Sequence, residues 1–231
     1  MEKRERAIAD LFGRVAPTYQ LVNHVLTLGL DFLWRRKAAR KALQADGSIW
    51  VDVCSGTGDM AKNLARRSPE KTVVLAIDFS WPMMSRMDNK RNYFLPVQAN
   101  SRQLPLADGT ADLVTISFAT RNLYHSREAL LACFREFYRV LRPGGFFLNL
   151  ETSQPESPLL RRLLHEYVKI VVKPVGSLIS GHSPPYAYLA HTIPRFLSAC
   201  ELADLLVEAG FSRVEVFPLS GGIVAIHLAH K

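Results

Sequence analysis

No stretch of 18 or more apolar residues occurs in these 231 residues, so the sequence predicts no membrane-spanning helix. Cysteine is scarce: Cys54, Cys133 and Cys200 stand far apart and are odd in number. They offer neither a metal-ligand spacing nor a disulfide framework, and they fit a reducing, cytoplasmic compartment with no metal. The charged start from Met1 to Arg6 is followed by no apolar block and no small-residue cleavage site, which argues against a secretory leader. Internal repeats and low-complexity tracts are missing. Dense Lys/Arg clusters interleaved with aromatics are missing too, and this weighs against nucleic acid despite a net charge of +8. That charge has two other readings, plain solubility and attraction to an anionic membrane face. With 48% hydrophobic residues the chain can bury one sizeable core, so a single domain over residues 1–231 is expected.

What is present is an alternation of strand-like and helix-like runs, which predicts an α/β fold with helices on both faces of a mostly parallel sheet. Strands are expected at Ile49–Cys54, Thr72–Ile77, Tyr93–Gln98, Leu113–Phe118 and Phe146–Leu150. Helices are expected at Asp59–Arg67, from Trp81-Pro82 onward, and at Ser126–Leu141. In the last of these, Leu130, Leu131, Phe134, Phe137, Tyr138 and Leu141 repeat at helical spacing behind a Ser126 N-cap. Pro143-Gly144-Gly145 then reads as the turn into the fifth strand. A helix at Leu202–Ala209, capped by Gly210, precedes Val214–Phe217 and Ile223–Leu228, a terminal antiparallel pair that makes seven strands. Two regions stand outside this core: an N-terminal helical segment (1–45) and an insertion (153–196) carrying a helix pattern from Leu159 to Val172. They flank the core (46–152) and the C-terminal helix and strand pair (197–231). Insertions beyond the C-terminal ends of parallel strands cover the ligand crevice, so both are candidate lid and substrate wall.

The densest signal is Trp50-Val51-Asp52-Val53-Cys54-Ser55-Gly56-Thr57-Gly58-Asp59-Met60-Ala61, a buried strand running into a glycine loop and a helix. Asp78 closes the next strand, 20 residues beyond Gly58, where a carboxylate accepts ribose hydroxyls. Together they point to a nucleoside-containing cofactor. The loop formally matches a dinucleotide fingerprint, so a nicotinamide enzyme stays open, as does a plain strand-to-helix turn. Three observations favour S-adenosylmethionine. Asp59 opposes a pyrophosphate at the helix N-terminus but suits the ammonium of a methionine moiety. Asn100-Ser101 follows the third strand, where polar side chains suit an adenine edge. Ser117 ends the fourth strand at the same rim.

At these residues the chain resembles the class I methyltransferases of ubiquinone and menaquinone biosynthesis, Rossmann-like enzymes that C-methylate a prenylated ring. The resemblance covers nearly the whole length. It is carried by Val15-Ala16-Pro17-Thr18-Tyr19 with Asn23, Trp34-Arg35-Arg36, the glycine loop, Ile77-Asp78-Phe79-Ser80 and Gln98-Ala99-Asn100. Leu104–Asp108, Thr115–Phe118 with Arg121-Asn122, Arg139–Gly145, Tyr186-Ala187-Tyr188-Leu189 and Gly221–His227 continue it. The glycine loop and the Arg-Pro-Gly-Gly turn are common to many methyltransferases, whereas the N-terminal block, Arg121-Asn122 and the ending are specific to the quinone enzymes. The resemblance implies cofactor contacts at Thr57, Asp78, Asn100, Ser101 and Ser117, and Asp52, Gly56, Gly58 and Phe79, beside them in the first strand and glycine loop and after Asp78, are further cofactor candidates. It implies a lipid-soluble quinol substrate, demethylmenaquinol or the equivalent benzoquinol, and a homodimer. The chain departs from the family at Gly13 and Gln20, where acids are common, at Ala119-Thr120 in place of Gly-Leu, and at Ser101.

The expected chemistry sets the remaining assignments. A ring carbon becomes nucleophilic when the adjacent hydroxyl, with an ordinary pKa near roughly 10, gives up its proton. Arg121 is the first candidate to stabilise the resulting phenolate, since a guanidinium stays charged; the alternative is a salt bridge or surface contact. Asn122 would orient the ring oxygen or serve as a turn residue. Tyr19, Asn23, Tyr186 and Tyr188 are the substrate-side candidates, with core packing the alternative for the tyrosines. His125, His182 and His191 are weaker candidates for a base than for structural roles. Arg161, Arg162, Lys169 and Lys173 beside the Leu159–Val172 stripe read as an ordinary surface helix or as an edge in peripheral contact with the inner face of the membrane. A methyltransferase for another phenolic or isoprenoid molecule and a non-catalytic quinone-binding protein are the alternative functions.

Overall fold

The computed structural model describes residues 3–91 and 93–231. Met1 and Glu2, which open the expected N-terminal segment, lie outside the described residues, as does Asn92. Seven strands form one sheet: β1 (Ile49–Val53), β2 (Val73–Asp78), β3 (Leu95–Gln98), β4 (Ala111–Ser117), β5 (Leu141–Thr152), β6 (Arg213–Leu219) and β7 (Val224–His230). Their order is β3-β2-β1-β4-β5-β7-β6. The first five pair in parallel, and β7 runs antiparallel to both β5 and β6. β1 from Trp50 to Val53 and β4 from Ala111 to Ile116 are buried throughout, as strands covered on both faces must be.

Three helices precede the sheet: α1 (Lys3–Gly13), α2 (Tyr19–Leu26) and α3 (Leu30–Ala42). The core adds α4 (Asp59–Ala65), α5 (Trp81–Met84), α6 (Thr120–Leu123) and α7 (Arg127–Val140). Ser126 caps α7 as its sequence predicts, its hydroxyl accepting the Ala129 N–H at 3.2 Å. Phe134 and Phe137 on α7 pack on Phe147 of β5, which the α11 side (Ala199–Glu208, after the insertion) also covers with Leu202, Leu205 and Leu206. On the other face Ala38, Ala39 and Ala42 of α3 and Met60, Ala61 and Leu64 of α4 close over Trp50, Val74 and Leu113. Small alanines let α3 lie close to the sheet, and that closeness brings its other side chains to the glycine loop.

One expectation needs correction. Pro143-Gly144-Gly145 does not separate α7 from β5. The helix ends at Val140, β5 begins at Leu141, and the tripeptide lies within the strand. Gly144 at φ +77° and a register shift between Ala111 and Leu113 absorb the extra residues as a bulge. The helix pattern expected from Leu159 to Val172 is present, and the helical path runs on beyond it. α8 (Pro158–Tyr167) passes through a π-helical turn, Val168–Val172, directly into α9 (Lys173–Ser180). Pro174 falls in the first turn of α9, where a missing N–H costs little. α10 (Pro184–Thr192) then folds back, with Tyr186 buried between the insertion and the N-terminal helices.

Candidate active site

Strand order reverses between β1 and β4, and the crevice at such a switch point lies beyond the C-terminal strand ends. There the chain leaves β1 through Cys54 at φ +52°, Gly56 at φ +57° and Gly58 at φ +79°. Asp78 braces this loop: one carboxylate oxygen accepts the Gly56 N–H at 2.8 Å and the other the Ser80 N–H at 2.8 Å. Burial raises its pKa, against the pull of these backbone donors. Each oxygen keeps a further lone pair for a ligand hydroxyl.

The loop walls a cavity whose empty space, its open mouth included, is about 920 Å³. Asp78, Phe79, Asn100, Ser101 and Ser117 all border it, together with Gly56 and Thr57. The structure thus gathers seven of the nine sequence-chosen cofactor residues. The other two stand behind the wall. Gly58 packs on an aromatic: a Cβ there would come within 2.8 Å of the Phe94 ring. Asp52 lies beneath the loop, fully buried, accepting from Ser55 Oγ at 2.6 Å and Thr115 Oγ1 at 2.7 Å. Burial pushes its pKa up to about 6. Asp59 does face the cavity and accepts from Thr57 Oγ1 at 3.0 Å and Gln20 Nε2 at 2.7 Å. An acid at position 20 would repel it, so glutamine is the residue that suits this neighbour. Cys54 borders the cavity too, and burial raises its thiol pKa well above the ordinary range, which disfavours the nucleophilic thiolate. Ser80 Oγ and Asn122 Oδ1, both on this wall, are buried without a hydrogen-bond partner. Unmet polar atoms beside a ribose-ready carboxylate fit a nucleoside ligand.

A second cavity, mostly apolar and with about 1440 Å³ of empty space including its open mouth, adjoins the first. Leu26, Leu30 and Trp34 from the N-terminal helices face Leu160, Leu164 and Val172 from the insertion across it. Tyr19 and Asn23, the substrate-side candidates, and Arg121, the catalytic candidate, also line it. Burial raises the Tyr19 phenol pKa, opposed by the Asn23 hydrogen bond and the charges of Arg35 and Arg121. Four side chains, Phe12, Tyr19, Arg35 and Phe118, border both cavities.

Arg121 is 5% exposed. Its Nη1 donates to Thr192 Oγ1 at 2.6 Å, its backbone N–H donates to Glu151 Oε2 at 3.1 Å, and its Nε–H is buried without a partner. The short helix carrying it is tied to the sheet by a polar chain. Thr120 Oγ1 donates to Asn149 Oδ1, Asn149 Nδ2 donates to His227 Nδ1 at 3.2 Å, and His227 Nε2 donates to the Ala199 carbonyl at 2.9 Å. Burial lowers the His227 pKa to about 4, so the ring is neutral and its two nitrogens can play these opposite parts.

Three sequence-chosen residues fall elsewhere. Asn122 points to the cofactor side, not to the apolar cavity. Tyr186 is 2% exposed, packed against Gly176, and Tyr188 stands edge-on to Phe12 at 6.2 Å; neither borders either of these two cavities. Both rings serve the joint between α10 and α1. His182 and His191 are exposed, and His125 lies beside Arg102 at 3.3 Å and borders neither cavity. Sequence reading missed Arg35, Phe12 and Phe118. The Trp34-Arg35-Arg36 block carried a signal, but its meaning needs α3 folded onto α4. Among the described residues, the four non-glycine residues with positive φ, Leu28, Cys54, Phe118 and Ser220, all line one cavity or both.

Comparison with known proteins agrees with this geometry. The family model described as the ubiE/COQ5 methyltransferase family matches residues 1–231. A demethylmenaquinone methyltransferase of Lactobacillus johnsonii is 34% identical over 98% of this chain and 93% of its own. A ubiquinone/menaquinone biosynthesis C-methyltransferase UbiE of Syntrophotalea carbinolica is 37% identical over 94% of this chain and 91% of its own. Among solved structures, a SAM-dependent methyltransferase of Thermotoga maritima shares the fold with a TM-score of 0.68, at 18% identity over 97% of this chain and 99% of its own. The nicotinamide reading falls with these matches and with the acid at the helix start. The chain belongs to the ubiE/COQ5 methyltransferase family and is an S-adenosylmethionine-dependent methyltransferase.

Proposed function

We propose that this methyltransferase acts on a ring carbon of a prenylated quinol, demethylmenaquinol first among them, as its named relatives suggest. The observation that carries the reading is the apolar cavity beside the cofactor cavity, with the unmatched Nε–H of a buried arginine in its wall. S-adenosylmethionine supplies an already activated methyl group, so the chain's own work is positioning and charge stabilisation. Asp78 would hold the ribose, Asn100 and Ser101 the adenine edge, and Thr57 and Asp59 the amino-acid end. Phe12, Tyr19 and Phe118, shared by both cavities, would orient the ring, and near-attack positioning is worth about 7–11 kcal/mol. Arg121 then meets the developing phenolate. Its permanent charge, little screened in a dry wall, favours loss of the ring hydroxyl proton to water.

The N-terminal helices and the insertion act in this reading as lid and substrate wall. The prenyl tail would leave between Leu28 and Leu163, both exposed and both on the border of the apolar cavity. A labelled-methyl assay in detergent tests the substrate, with demethylmenaquinol and a demethyl benzoquinol side by side. Label in neither product, with transfer to a smaller phenol instead, would replace the quinol by another phenolic acceptor. Arg121→Ala should lower turnover about 10²–10³-fold, the usual cost of one oxyanion donor, with cofactor affinity retained. Unchanged turnover removes Arg121 from the chemistry.

A further inference from the structure

Arg35 is the one basic side chain, among the described residues, that borders the cofactor cavity. It is 6% exposed and sits on α3, the helix that the small alanines seat against α4. Its Nη1 donates to Asp31 Oδ2 at 2.6 Å. Asp31 is itself buried. Burial disfavours its charge, yet hydrogen bonds from His24 and Thr27 and the charge of Arg35 hold its pKa below the ordinary value. Below the guanidinium lies the Phe118 ring, 5.1 Å from Cζ to centroid, which fixes the plane of the group.

With Nη1 committed to Asp31, the edge of the guanidinium formed by Nε and Nη2 remains. Nε is buried with no partner, and Nη2 has no hydrogen bond among the described residues. That edge offers two parallel N–H groups, the fork that a carboxylate accepts in bidentate fashion. The methionine end of S-adenosylmethionine carries both an ammonium and a carboxylate. Asp59 supplies a negative partner for the first. Arg35, Thr57 and Asp59 border both the cofactor cavity and an adjoining recess that Lys62, Arg66 and Arg67 also line, so of these four cations Arg35 is the one that reaches the cofactor cavity beside its acid. We propose that Arg35, held flat by Asp31 and Phe118, binds the α-carboxylate of the cofactor through its Nε–Nη2 edge. Because Arg35 also borders the apolar cavity, loading the cofactor fixes a side chain in the wall that the acceptor meets.

The inference rests on the cofactor, not on the quinol. The test is calorimetric titration with S-adenosylhomocysteine, its decarboxylated analogue and methylthioadenosine, which lacks the whole amino-acid end. Wild-type protein should prefer the carboxylated ligand to the decarboxylated one by about tenfold or more. Arg35→Gln should reduce that ratio to within about twofold and leave methylthioadenosine binding intact, and Arg35→Lys should fall between. A wild-type protein indifferent to the carboxylate overturns the proposal, as does an Arg35→Gln protein that keeps the full preference. Should Arg35→Gln lose all three ligands alike, Arg35→Lys decides, and a wild-type ratio there also overturns it. No quinol enters these titrations, so a wrong acceptor would show in the methyl-transfer assay and leave this result standing.

Discussion

His227 touches neither cavity, yet its protonation bears on the helix that carries Arg121. Its pKa of about 4 in the fold lies below the ordinary 6.5, so between these values the unfolded chain binds a proton that the folded one refuses. Stability therefore falls as pH drops from 6.5 towards 4, by about 3 kcal/mol in all. Asp52 works in the opposite sense. Its pKa rises from 3.8 to about 6 on folding, so the native state takes up the proton first, and stability falls as pH rises through that range. The two slopes oppose each other between about 4 and 6. His227→Gln removes one of them. The stability gap between wild type and this variant in urea should narrow by about 2–3 kcal/mol from pH 7 to pH 4.5. A constant gap would mean that the ring titrates as it does in the unfolded chain. Asp78, Asn100 and Ser117 were legible in the sequence because each follows an apolar run whose end marks the crevice rim. Arg35 was not, since its partners are set by how α3 lies on the sheet. For Tyr186 the sequence left a ring clamp and core packing both open, because only its neighbours in the fold decide between them, and its burial decides for packing.

Among elements, the parallel strands were the most readable, because burial on both faces demands nearly continuous apolar runs. The insertion was the least. The apolar pattern stops at Val172, whereas the chain stays helical to Ser180, because a π-helical turn places Pro174 in a permissive first turn. The Ser198 to Glu201 capping box of α11 was readable at its S-x-x-E spacing, yet the apolar pattern alone starts that helix at Leu202. The joint between α9 and α10 depends on Gly176. A Cβ there would lie 2.3 Å from Cδ1 of Tyr186 and 2.4 Å from its Cγ, and the buried ring has no room to retreat. Gly176→Ala should cost about 1–3 kcal/mol in thermal or urea unfolding. By spreading the wall of the apolar cavity it should also raise KM for the acceptor by roughly fivefold. Affinity for S-adenosylhomocysteine should stay put, because its cavity is walled by other elements. An unaltered melting curve would show that α10 slides without resistance.

The molecule as a whole carries a net charge of +8. No helix of the described residues is long and apolar enough to cross a membrane. Leu28 is 85% exposed, Leu159 69% and Leu163 58%, and Tyr167 OH ties α8 to α2 by donating to the Leu26 carbonyl at 2.7 Å. Arg161, Arg162, Lys169 and Lys173 share the same stretch of chain. If the acceptor enters from lipid along this edge, the protein should sediment with anionic vesicles and less with neutral ones, and salt at about 0.5 M should release it. Retention on neither kind of vesicle would assign these leucines to another purpose.

Leu28, Cys54, Phe118 and Ser220 hold a left-handed backbone that costs an L-residue about 1–2 kcal/mol each, and all four stand on cavity walls. A laboratory selection for heat tolerance alone would drift towards glycine or asparagine at those four places. Its winners would melt later and hold their ligands more slackly, so sturdiness and turnover should trade against each other in any hardened descendant of this enzyme.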